Sequence, residues 1–206
     1  MKTLTAILLL VLIAACSQTD KHVDSSISIS NTQEVKEPLE RTPTTEPTQP
    51  EIHEFNCVRG APEASLDLAV YPSRQFMLIE STSATEAVDL NNGDKLIINH
   101  GGCEYYVQTY RFETTRWKAD TTDLSFWYNK AVQLLSEIEK ADQSPIDIKA
   151  GMNAIAKYID QNKEMQLAYD LDFADSEIRE FVSLDRIEKL DHGKFAVEVT
   201  FAIGPL

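Results

Sequence analysis

Between Ser17 and Ile52 the chain has no aromatic residue, no glycine and four prolines, Pro38, Pro43, Pro47 and Pro50. Such a stretch offers too little apolar surface to offset the entropy of ordering it. Residues 16–52 therefore read as a disordered Ser/Thr/Pro/Glu-rich tether, and any core must come from residues C-terminal to it. A tether of that length reaches about 110 Å in polyproline form and about 35 Å as a flexible coil. From His53 to Leu206 the apolar content is ordinary. One domain over 53–206, with one hydrophobic core, is the expectation.

The N-terminus reads MKTLTAILLLVLIAAC. Lys2 supplies a positive charge, and the apolar run Leu4 to Ala15 is broken only by Thr5. As a helix the run spans about 18 Å, against a hydrocarbon core of about 30 Å. It is short for a membrane span and fits a signal peptide over residues 1–15. The run ends in Ile13-Ala14-Ala15-Cys16, which resembles the lipobox of bacterial lipoproteins. The resemblance covers residues 1–17. It implies cleavage before Cys16, a thioether-linked diacylglycerol on its sulfur, and a further acyl chain such as palmitate on its new amino group. Each buried methylene adds about 0.8 kcal/mol, so two or more chains anchor lastingly. The lipid bilayer, held through acylated Cys16, is thus the first expected partner. Ser17 stands where Asp commonly signals inner-membrane retention in Gram-negative lipoproteins. The resemblance therefore implies a bacterial envelope protein, on the outer membrane where the organism has one.

The charge balance is acidic: 19 Lys and Arg against 33 Asp and Glu give −14. That argues against nucleic acid, which needs cationic phosphate contacts. It favours basic partners by electrostatic steering.

Three cysteines would be odd for an exported chain. Lipidation consumes Cys16 and leaves Cys57 and Cys103, a pair suited to a disulfide in an oxidising compartment. Closing that loop stabilises by about 4 kcal/mol. The rival is zinc: His53-x-x-x-Cys57 and His100-x-x-Cys103 assemble two His and two Cys, a set that can make a tetrahedral site. The two readings exclude each other. Under the disulfide reading, His53 and His100 are expected on the surface or in turns, and no metal or cofactor is expected.

Other candidates are less specific. Asp170, Asp172, Asp175 and Glu177 offer oxygen ligands for a hard cation. They lack the glycine of an EF-hand loop and read better as a solvated face. The chain has no Gly-x-Ser-x-Gly elbow, phosphate loop or His-Glu-x-x-His, so no catalytic residue is assigned. Tyr105, Tyr106, Tyr110, Trp127 and Tyr128 are expected mostly in the core. Arg116-Trp117-Lys118 is the candidate partner-binding patch, an indole between cations.

The pattern of elements is β-rich, then α-α, then β-rich. Leu66, Leu68 and Val70 alternate as a strand, Pro72-Ser73-Arg74 turns, and Phe76–Ile79 comes next as an apolar run. Asn91-Asn92-Gly93-Asp94 turns between Val88–Leu90 and Lys95–Ile98. Cys103–Phe112 is rich in β-formers, with Tyr106, Gln108, Tyr110 and Phe112 on one face. Leu124 to Ile138 carries helical spacing. Ser144-Pro145-Ile146-Asp147 reads as the start of a second helix capped by Ser144. Its stripe is Ile148, Met152, Ile155/Ala156 and Ile159. Leu167, Tyr169, Leu171 and Phe173 alternate. Residues 177–183 fit either helix or strand. Asp191-His192-Gly193 joins the last two strands as a hairpin. The fold class expected is α+β, an antiparallel sheet packed against an antiparallel helix pair.

Three functions fit. The first is an anchored envelope binding module for a protein or cationic partner. The second is a structural or assembly lipoprotein of an envelope complex. The third is a metal-dependent or hydrolytic envelope enzyme.

Overall fold

The computed structural model describes residues 60–161, 164–174 and 177–204. These belong to one contact unit, residues 51–206. The signal peptide, Cys16, the tether, His53, Cys57 and Asp175 lie outside the described residues.

The elements are β1 (Gln75–Glu80), β2 (Ser83–Asp89), β3 (Lys95–Gly101), β4 (Tyr106–Thr114), α1 (Leu124–Ile138), α2 (Ile148–Gln161), β5 (Leu171–Asp172), β6 (Glu180–Lys189) and β7 (Phe195–Ile203). They form an antiparallel sheet in the order β1-β2-β3-β4-β7-β6-β5, with the α1–α2 pair against it. The class is α+β, as the patterning predicts. The turn at 91–94 is present: Leu90 N–H donates to the Asp94 carbonyl at 2.7 Å, and Gly93 takes a φ of +85° that a side chain would resist.

Period-two alternation sorts the sheet's faces. Leu96, Ile98, Tyr110, Phe112, Val182, Leu184, Val197, Val199 and Phe201 are buried, together with Trp127, Tyr128, Leu134, Leu135 and Ile138 of α1. The opposite face is polar. Thr109 and Thr200 are hydrogen-bonded at 2.7 Å, and Arg111 pairs with Glu113, Glu188 and Glu198. Helix α2 reaches the sheet through Gly151, where an added Cβ would collide with the Phe201 ring.

Several local expectations are corrected. Residues 67–70 are a turn, and Leu66 makes only an isolated bridge with Asp142. Asp67 causes this: its carboxylate accepts from Ala69 N–H, and its carbonyl accepts from Val70 and Tyr71 N–H. Helix α2 starts one turn later than expected, because Asp147 Oδ1 accepts from Ala150 N–H at 2.8 Å. Ser144 Oγ instead accepts from Ile146 N–H at 3.3 Å. Of the alternating run 167–173 only Leu171–Asp172 is strand. Ala168 sits at φ +53°, and the backbone of Gln166 is tied to Tyr128 and Tyr158. The ambiguous stretch resolves as strand from Glu180.

Candidate functional site

Strand β1 ends the sheet, so its outer backbone edge has no neighbouring strand among the described residues. Its sequence, Gln-Phe-Met-Leu-Ile-Glu, is exposed at every position. Phe76 (37%), Met77 (60%), Leu78 (50%) and Ile79 (53%) are all open to solvent, as are nearby Leu68 and Val70. Phe76 and Leu78 pair with Glu86 and Ala84 of β2, whose side chains point to the core side. The pairing is irregular between Leu78 and Glu80. An edge of this kind, with four consecutive apolar residues and Glu80 as the one charge of the strand, is what natural sheets usually blunt with charge or cover.

Behind this edge lies a buried polar chain. Glu86 is fully buried directly across from Phe76. Its carboxylate accepts from Ser65 N–H at 2.8 Å, Ser65 Oγ at 3.1 Å, Leu66 N–H at 3.2 Å and Arg74 Nη1 at 3.0 Å. His100 Nε2 stands 3.3 Å away, at ion-pair distance but without hydrogen-bond alignment. Burial by itself raises the Glu86 carboxyl. The nearby His100 ring and the donors of Ser65, Arg74 and Leu66 outweigh it and hold the group at about 2. Gln108 Nε2 donates to His100 Nδ1 at 2.9 Å. That leaves the His100 ring proton on Nε2, facing Glu86.

The chain continues through Tyr110. Its hydroxyl lies 2.6 Å from Gln108 Oε1 and 2.8 Å from Asp142 Oδ2. One hydroxyl proton faces two acceptors. Burial raises the Asp142 pKa despite donors from Ser144 and Tyr110, and the Glu86 charge adds to the rise. The hydroxyl is thus shared between the Gln108 amide oxygen and the Asp142 carboxyl. A 340 Å³ recess nearby is lined by Ser65 and Ser144, but by none of Glu86, His100, Gln108, Tyr110 or Asp142. Glu86, His100, Gln108 and Tyr110 are buried, and the chain reaches half-buried Asp142 at its far end. The network clamps the 61–74 segment and the 142–144 turn to the sheet and so fixes the β1–β2 margin.

The structure separates the candidates named from the sequence. His100 is buried on β3, not in a turn, and both its ring nitrogens face partners. Cys103 is disulfide-bonded. Because Cys57 is outside the described residues, Cys57–Cys103 stands as a proposal. Among the described residues no group of three or more His, Cys, Asp or Glu is placed to hold a metal ion. Arg116, Trp117 and Lys118 do lie together, but Trp117 is half-buried against the core. The Arg116 guanidinium is 4.4 Å from its ring centroid, and the Lys130 ammonium is 4.9 Å away. Arg116 also pairs with Asp94 and Glu137, each at 2.7 Å, leaving Lys118 as the exposed member. In the acidic run, Asp170 and Asp172 already share a cation, Arg179, at 3.2 and 2.8 Å.

The sequence reading missed Glu86 and Asp142. A signal for Glu86 was present: it shares the period-two phase of Ala84 and Val88, both buried. Compared with known proteins, the chain matches no family model, no curated protein and no solved structure. Among the described residues no helix is long and apolar enough to cross a membrane.

Proposed function

We propose that this chain is a bacterial envelope lipoprotein, anchored through acylated Cys16, whose domain is a binding module. The observation that carries the binding reading is the β1 edge: four consecutive exposed apolar side chains on a strand whose outer backbone row has no neighbour among the described residues. Another backbone can bond such a row along its whole length, and the apolar side chains favour its burial, so the occupant we infer is an extended segment of a partner envelope protein, docked by strand addition. The segment is apolar opposite Phe76–Ile79 and basic at its flanks, because the chain carries −14 overall and Glu80 and Asp89 border this margin. The lipobox resemblance supports the anchor, Ser17 supports the outer membrane, and residues 16–52 supply reach. The proposed Cys57–Cys103 disulfide fits the same oxidising compartment and excludes the zinc alternative.

The test is a photo-crosslinking residue at Met77 of the full lipoprotein in cells. A single adduct with another envelope protein is expected. It should be lost in Leu78→Lys, weakened by salt, and absent with the crosslinker at Lys118. An adduct of twice the chain's own mass, or no adduct, overturns the reading. In parallel, Cys16→Ser should release the protein from membranes and remove the lipid mass.

A further inference from the structure

A second surface, far from β1 in the sheet order, has a different chemistry. Between α2 and β5 runs a groove of about 400 Å³ lined by Lys157, Tyr158, Gln161, Tyr169, Asp170 and Asp172. A second recess of about 360 Å³ shares Ala154, Lys157 and Asp172 with it and extends to Asn153 and Phe173. The two make one elongated trough along the helix.

Tyr169 is its platform. The ring is stacked on Tyr158, with centroids 5.3 Å apart and planes at 15°, yet the residue is half-exposed. One face therefore rests on Tyr158, and the other is open to the trough. The segment bearing it is held firmly. Tyr128 OH donates to the Gln166 carbonyl at 2.6 Å, Gln166 N–H donates to Tyr158 OH at 3.2 Å, and Ala168 N–H donates to the Leu184 carbonyl at 2.8 Å. Ala168 takes a left-handed φ of +53°, a conformation that a residue with a Cβ adopts only against steric resistance. The strain sits one residue before Tyr169 and lets its ring stack rather than continue the strand.

The polar groups around the ring decide the ligand class. Asp170 and Asp172 are both held by Arg179, which fixes their orientation and offsets their charge. A metal ion gains little there, because the guanidinium already occupies the carboxylates. A phosphate gains little either, because Lys157 is the one cation among the lining residues and stands beside two carboxylates. The remaining class is a neutral molecule with a flat C–H face for Tyr169 and many hydroxyls. Those hydroxyls donate to Asp170 and Asp172 and accept from Lys157, Gln161 and Asn153. We infer that the α2–β5 trough is a saccharide-binding site for a neutral pyranose oligosaccharide, stacked on Tyr169 and hydrogen-bonded by Asp170, Asp172, Lys157 and Gln161. It is independent of the β1 edge, and either can fail alone.

The experiment is a titration of the isotope-labelled chain from residue 17 onward, monitored by amide NMR. The probes are chitotetraose and maltotetraose. At least one should shift amides confined to residues 150–174. Tyr169→Ala should weaken binding roughly tenfold, and Tyr169→Trp should preserve it. Because Tyr169→Ala also removes a stacking contact, the exposed pair Lys157→Ala/Gln161→Ala serves as a second variant. It should weaken binding severalfold with unchanged thermal stability. Leu78→Lys should leave saccharide binding intact. Absence of shifts with both probes, shifts elsewhere, or unchanged affinity in Tyr169→Ala overturns the inference.

Discussion

Replacing Glu86 by Gln keeps the shape of the side chain and removes its charge. In the folded state the carboxylate accepts from Arg74, Ser65 and Leu66 and faces the His100 ring proton. The amide nitrogen of Gln would meet donors where an acceptor is needed. Removing one partner of a buried pair typically costs about 3–5 kcal/mol. The pH dependence gives a sharper number. The group stands at about 2 in the fold against an ordinary value of 4.5. Its folded pKa is depressed, so its contribution is complete above the unfolded value and is lost as pH falls through the folded one. That contribution is about 3 kcal/mol at neutral pH. By pH 3 about 2 kcal/mol of it is gone. Urea unfolding of the chain from residue 17 onward, wild type beside Glu86→Gln, should show a gap that shrinks by about that amount between pH 7 and pH 3. A gap that stays constant over this range would refute the reasoning. It would mean that Glu86 contributes packing and not charge.

Three further outcomes rest on named contacts. Gly151→Ala drives a methyl into the Phe201 ring; overpacking should cost about 1–3 kcal/mol, read as a lower Tm with unchanged helical circular dichroism. Asp147→Ala removes the α2 cap at Ala150 and should cost about 1 kcal/mol in chemical unfolding, whereas Ser144→Ala should cost less. Intact mass of protein exported to an oxidising compartment should rise by two hydrogens on reduction, and Cys57→Ser should lose about 4 kcal/mol. Two freely alkylated thiols in the native oxidised protein would remove the disulfide and reopen the zinc set His53, Cys57, His100 and Cys103.

Legibility in the sequence differs by element. The helix α1 stripe and the 91–94 turn are readable because each is dictated within a few residues, by i, i+3, i+4 spacing and by Asn-Gly chemistry. Tyr106, Gln108, Tyr110 and Phe112 fall on one face for the same local reason. The errors arise where a side chain bonds its own backbone or a distant one. Asp67 turns an alternating run into a tight turn, and Tyr128 and Tyr158 seize Gln166 and stop the strand before Leu171. His100 looks like a turn residue beside Gly101-Gly102. It is buried because it continues the inward phase of Leu96 and Ile98.

Composition and short-range periodicity suffice for the acidic charge, the α+β class and the expectation of a tether, while the expectation of lipidation comes from the lipobox resemblance of residues 13–16. None of these needs knowledge of which strands meet. Whether Phe76–Ile79 is an open edge or a core strand is a different matter, because burial depends on what lies across the sheet. Glu86, His100, Gln108, Tyr110 and Asp142 become one network only when three strands and a turn bring them together. The trough at Tyr169 likewise exists because α2 and β5 pack side by side. Long-range pairing carries that information, and no local pattern encodes it.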